Sequence, residues 1–164
     1  MNVVMIAVPS REAGLAAMDR ITWAVEEGRI SVDDTAMAYR DEKGKVRIQQ
    51  TGDATAGKGA LKGGALGLLV GVFAAPLVGA AAVGAGIGAL VGKARDKGVS
   101  DKLMKQAGEM IGSSEAVVFV LADDSSTVAI SAVLEEEIAA GARVDYDVLP
   151  AEAQDFLREA IKLA

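Results

Sequence analysis

Asn2-Val3-Val4-Met5-Ile6-Ala7-Val8 is apolar at nearly every position, and a second run of the same character, Glu115-Ala116-Val117-Val118-Phe119-Val120-Leu121-Ala122, stands far along the chain. A strand with one wet face alternates polar and apolar residues, whereas one flanked on both sides and covered by other elements reads as continuous. Both runs therefore belong in the middle of a sheet. The residues after each run are also alike. After the first comes Ser10, a good helix N-cap, then apolar residues at Leu15, Met18, Ile21, Trp23 and Val25, and a stop at Gly28. After the second, Asp123-Asp124-Ser125-Ser126-Thr127 opens a helix that runs to about Ala140 and stops at Gly141.

Each strand-helix unit then leads to a more polar strand. Residues 35–40 and 45–50 form a hairpin around the turn Asp41-Glu42-Lys43-Gly44. In residues 143–148, Val144, Tyr146 and Val148 fall on one face and Arg143, Asp145 and Asp147 on the other. Two such units predict an α+β fold, a ferredoxin-like split β-α-β sheet with the two apolar strands side by side in its centre and residues 45–50 as an added edge. Residues 100–111 read as a helix with Leu103, Met104, Ala107, Met110 and Ile111 as its apolar stripe. A last helix after Pro150 spans residues 151–163 and packs through Phe156, Leu157, Ala160 and Ile161.

Between Lys62 and Lys93 lie 30 consecutive uncharged residues, nine of them Gly and eight Ala. Small residues recur every fourth position at Gly59, Gly63, Gly67 and Gly71, and again after Pro76 at Ala80, Gly84, Gly88 and Gly92. That spacing puts a smooth stripe on one helix face and lets backbones approach closely. Glycine costs about 1 kcal/mol against alanine in a water-exposed helix, so this many require close packing or lipid to offset the loss. The reading is a Gly/Ala-rich helical hairpin turning at Pro76 and inserted into the sheet domain. The chain divides into residues 1–51, the first β-α-β half with its extra strand; 52–98, the hairpin; and 99–164, a helix, the second half and the C-terminal helix.

A bilayer span needs about 20 residues, and residues 57–75 and 77–95 each just reach it if their lysines snorkel. A single span would part the two halves of the sheet; a hairpin returns the chain to the same side. Lys58, Lys62, Lys93, Arg95 and Lys97 flank the arms and serve as interface anchors, which places both ends in the cytoplasm by the positive-inside rule. The alternative is a soluble cytoplasmic homo-oligomer whose hairpins pack on one another, because each arm has few large apolar residues.

The 164 residues suffice for one domain and an appendage. Hydrophobic residues make up 51% and aromatics only 4%, so the apolar mass is small side chains. With no cysteine and no histidine, zinc sites, disulfides, thiol chemistry and imidazole catalysis are excluded. A net charge of −6 argues against nucleic acid as a partner. The first strand is followed at once by Pro9-Ser10-Arg11-Glu12, which does not read as a secretory signal.

The order of strand, helix and strand pair, then the GKGALKGGALGLLVG and GAGIGALVGKARDKG arms, the AVVFVLA strand and the final strand and helix, resembles the bacterial family called domain of unknown function 1269. The resemblance implies membrane association or self-assembly, with a link to stress, and supplies no catalytic residues.

Other motifs weigh less. Gly52-Asp53-Ala54-Thr55-Ala56-Gly57-Lys58-Gly59 has phosphate-loop spacing but carries Gly59 where a hydroxyl should meet magnesium. Glu135-Glu136-Glu137 points in three directions on a helix and reads as a solvated face. Asp145 and Asp147 suit the wet side of an edge strand, Asp123 and Asp124 a helix cap, and Trp23 with Met18, Met37, Met104 and Met110 the core. The expectation is a protein with no catalytic or metal residues and no cofactor. Its partner is itself, with membrane lipid as a second, and its place is the cytoplasmic face of the inner membrane.

Overall fold

The computed structural model of the chain describes residues 1–50, 96 and 99–155. Strand β1 (Asn2–Val8) is buried at all seven positions and leads to helix α1 (Arg11–Glu26). Ser10 caps that helix by accepting the Ala13 N–H at 3.1 Å. Strands β2 (Val32–Arg40) and β3 (Val46–Gln50) come next, joined by a turn in which Gly44 adopts φ 72°. Helix α2 (Asp101–Ser113), capped by Ser100, precedes β4 (Ala116–Ala122), again buried at all seven positions. Helices α3 (Asp124–Val133) and α4 (Glu135–Ala139) lead to β5 (Arg143–Val148), and residues 151–155 are helical.

The five strands form one antiparallel sheet in the order β3-β2-β4-β1-β5. The two apolar strands lie side by side in its centre, with Val4 opposite Val120 and Met5 opposite Phe119. Both faces are covered. On one, Val3, Met5, Phe119 and Leu121 meet Leu103, Ala107 and Ile111 of α2 together with Leu149 and Ala153. On the other, Val4, Ile6, Val118 and Val120 meet Ala17, Met18 and Ile21 of α1, Ile130 of α3 and Leu134. This double cover explains why neither run alternates. Asn2 fastens β1 to the start of α3, donating from Nδ2 to Thr127 Oγ1 at 2.9 Å and to Asp124 Oδ1 at 3.0 Å.

Several expectations need correction. Trp23 is 64% exposed and Val25 also faces out. The buried face of α1 is Gly14, Ala17, Met18, Ile21 and Ala24, spaced by three and four, and Trp23 is out of phase with it. Small residues hold this face because α1 lies close to the sheet: a Cβ on Gly14 would stand 2.4 Å from Met37 Sδ. Met18 and Met37 are core, while Met104 and Met110 are only partly buried at its margin. Strand β2 begins at Val32, with an irregularity between Val32 and Asp34 that absorbs the polar Asp33-Asp34 pair. The single helix expected to reach Ala140 breaks at Leu134, a fully buried residue whose backbone leaves the helical region. In β5 Val144 packs against the α1-side core, but the rest of the apolar face is exposed, with Tyr146 at 60% and Val148 at 62%. The expected residues 156–163 of the last helix lie outside the described residues.

Candidate functional site

The expected packing residues Gly59, Gly63, Gly67, Gly71, Ala80, Gly84, Gly88 and Gly92, the turn at Pro76, the anchors Lys58, Lys62, Lys93, Arg95 and Lys97, and the 52–59 loop all lie outside the described residues. Within the described body, three places gather polar groups.

The first is an open groove of about 680 Å³ where β1 ends, α1 begins and the β2–β3 turn folds over. Pairing of β2 with β4 sets Tyr39 opposite Ala116 and brings the turn beside the start of α1. Arg11 lies 4.6 Å over the centroid of the Tyr39 ring and donates to Gln49 Oε1 at 3.0 Å. Arg40 donates to the carbonyls of Gly44 and Gly112, each at 3.2 Å, tying the turn to the end of α2. Asp41 organises the turn: Oδ1 accepts the N–H groups of Lys43 and Lys45, and Oδ2 accepts Arg47 Nε, all at 2.9 Å. The Lys45 N–H and then the Arg47 guanidinium hold the Asp41 carboxyl below the ordinary carboxylate range. The groove's cations are balanced by Glu12, Asp41, Glu42 and Glu115. Its one hydroxyl from serine, on Ser10, serves as a helix cap. The arrangement offers polar contacts without a nucleophile-base pair.

The second place is an ion pair between helices. Arg20 of α1 contacts Glu136 Oε2 from Nη2 at 2.6 Å and Glu137 Oε1 from Nε at 2.9 Å. The Glu136 bond chiefly raises the Arg20 pKa. The acidic triplet is therefore only partly a solvated face. Glu136 is 77% exposed, but the Glu137 side chain is 9% exposed and its Oε2 has no hydrogen-bond partner among the described residues. The break at Leu134 aims α4 so that two of its three carboxylates reach one guanidinium. An adjoining cleft of about 220 Å³ is walled by Ala13, Ala16, Ala140 and Ala142.

The third is the β5 edge. Asp145 Oδ1 accepts the Tyr146 N–H and Asp147 Oδ1 the Val148 N–H, each at 2.8 Å, and Asp145 Oδ2 also accepts from Gln106 Nε2. Asp123 caps α3 as expected, accepting the Ser126 N–H at 2.6 Å and the Ser125 hydroxyl at 2.8 Å, which lowers its pKa. Among the described residues no cluster of acidic side chains is placed to hold a metal ion, and no helix is long and apolar enough to cross a membrane.

Sequence reasoning missed the groove because its residues come from positions 9–12, 39–47 and 115, brought together only by strand pairing. The double cation-carbonyl role of Arg40 carries no local signature.

The body is thus an α+β protein with a doubly covered antiparallel sheet, in which residues 51–98 separate β3 from the segment leading to α2. The family model described as protein of unknown function (DUF1269) matches residues 60–162, more than half of the chain, and the chain belongs to that family. The match takes in α2 through β5 but not β1–β3. No curated protein and no solved structure matches the chain significantly.

Proposed function

We propose that this is a non-enzymatic, self-assembling protein whose Gly/Ala-rich segment forms a helical hairpin that associates with the membrane from the cytoplasmic side. The observation that carries this reading is the uninterrupted stretch of 30 uncharged residues, 63–92, with small residues at four-residue spacing and lysines at both ends. The sheet body supports it. Described residues cover both faces of the central strands, so the body's core is furnished without the inserted segment. The strand order β5-β1-β4-β2 is read as a ferredoxin-like sheet with β3 as an added edge, and residues 52–98 as an insertion in it.

In this reading Gly63, Gly67, Gly71, Gly84, Gly88 and Gly92 permit close helix contact, Pro76 makes the turn, and Lys58, Lys62, Lys93, Arg95 and Lys97 sit at the headgroups. The test is light scattering on cell fractions prepared first without detergent and then with it. Recovery of a discrete assembly only in detergent is the expected result. A large assembly in plain buffer overturns the lipid contact and leaves self-assembly through the same glycines. Gly67→Leu with Gly88→Leu should disperse the assembly in either case, and unchanged oligomers by crosslinking would refute the packing role.

A further inference from the structure

The two edges of the sheet are finished differently. Leu149 donates its N–H to the Met1 carbonyl at 3.1 Å, which continues the β1–β5 register by one pair. Bonded pairs alternate along an antiparallel ladder, so Asp147 and Asp145 bond to β1 while Tyr146 and Val148 turn their N–H groups outward. Those are the two N–H groups that the Asp145 and Asp147 carboxylates occupy. Two of the three outward N–H groups of β5 are thereby occupied, that of Val144 excepted, which blunts this edge against another strand.

The same alternation leaves β3 open. Asp41 donates to the Lys45 carbonyl at 2.9 Å, so Arg47 and Gln49 bond to β2, and Val46, Ile48 and Gln50 face outward. The outward N–H groups of Val46 and Ile48 have no partner among the described residues, and the Ile48 side chain is 40% exposed.

We infer that β3 is a contact between copies of this chain, adding to the β3 of a second copy in antiparallel register about a two-fold axis at Ile48. The sequence of the strand is compatible with that occupant and register. With Ile48 opposite its counterpart, Val46 faces Gln50 and Arg47 faces Gln49, all five residues pair, and about six backbone bonds form from the outward groups. Sliding one step toward the turn would set Arg47 against Arg47, a like-charge pair that disfavours the shift. In the favoured register the Arg47 guanidinium stays with Asp41 on its own chain. Ile48 shares its sheet face with Val46, which packs on the α2-side core, so pairing extends that core across the axis.

The inference rests on the self-assembly reading and names a contact outside the glycine segment. The chain has no cysteine, so single-cysteine variants report cleanly. Cα atoms facing across a bonded pair lie about 5.5 Å apart, within disulfide reach. Under mild oxidation the full-length Ile48→Cys variant should become a covalent dimer, and Tyr146→Cys on the β5 edge should not. Ile48→Pro removes only an outward N–H, so it should keep the circular dichroism spectrum and halve the mass of the smallest species. An unlinked Ile48→Cys variant, or an Ile48→Pro variant of unchanged mass, overturns the β3 contact. If the wild type then still assembles and disperses on Gly67→Leu with Gly88→Leu, self-assembly survives without β3; a monomeric wild type removes both.

Discussion

Replacing Gly14 with alanine sets two effects of opposite sign against each other. Alanine favours a helix interior by about 1 kcal/mol over glycine. Its Cβ, however, would stand 2.4 Å from Met37 Sδ and 3.5 Å from Val8 Cγ2. To regain ordinary contact the sulfur must withdraw by about 1 Å. Met37 is fully buried in the core between α1 and the sheet, so its sulfur can withdraw only into the packed interior and not into solvent. Overpacking of this kind costs about 1–3 kcal/mol, and we expect a net loss of about 1 kcal/mol. In a Met37→Ala background, itself destabilised by about 2–5 kcal/mol, the obstacle is gone. There Gly14→Ala should stabilise by about 1 kcal/mol, giving a coupling of about 2 kcal/mol. Urea unfolding of the four proteins followed by circular dichroism measures it. Equal stabilisation by Gly14→Ala in both backgrounds would refute the close approach of α1 to β2.

Ser10→Ala removes the cap of α1 and should cost about 1 kcal/mol in the same assay, with Ser10→Asp restoring most of it. Phe119→Ala empties the centre of the sheet and should cost about 3–5 kcal/mol; a cost below about 1 kcal/mol would contradict its burial. Asp123 and Asp41 both have folded pKa values below their unfolded ones. The stability they contribute is therefore present above the unfolded carboxylate range near pH 4 and is lost as pH falls through the lowered values. Melting temperature should drop on acidification, and Asp123→Ala should flatten that drop; an unchanged slope counts against the cap. Arg20→Met, which strands the nearly buried Glu137 carboxylate, should lower the melting temperature more than Glu136→Gln, which alters an exposed side chain.

The central strands were legible because burial on both faces leaves a plain mark, an apolar run too long to alternate. The caps at Ser10, Ser100 and Asp123 were legible because capping is local chemistry. Trp23 misled because hydrophobicity was weighed above phase, while Gly14, Ala17 and Ala24, which make the buried face, carry little hydrophobic signal. Tyr146 and Val148 alternate as a half-buried strand should, yet nothing in the alternation says whether a helix lies above them. The joint at Leu134 was hidden because a leucine continues a helix as readily as it ends one. The groove and the Arg20 pair were out of reach, since both depend on contacts between residues distant in the chain.

The sheet order also has a consequence in time. Strands β1 and β2 flank β4 without touching each other, about 9.5 Å apart, so the first half of the chain leaves a slot one strand wide. The strand that fills it lies beyond the whole Gly/Ala-rich segment, and Asn2 meets its β4 partner, Ala122, at that strand's far end. During synthesis the apolar segment therefore leaves the ribosome while the sheet still lacks its middle, and loop closure over this distance is slow. The Gly/Ala-rich segment is thus made before the sheet can close, and the domain is completed behind it.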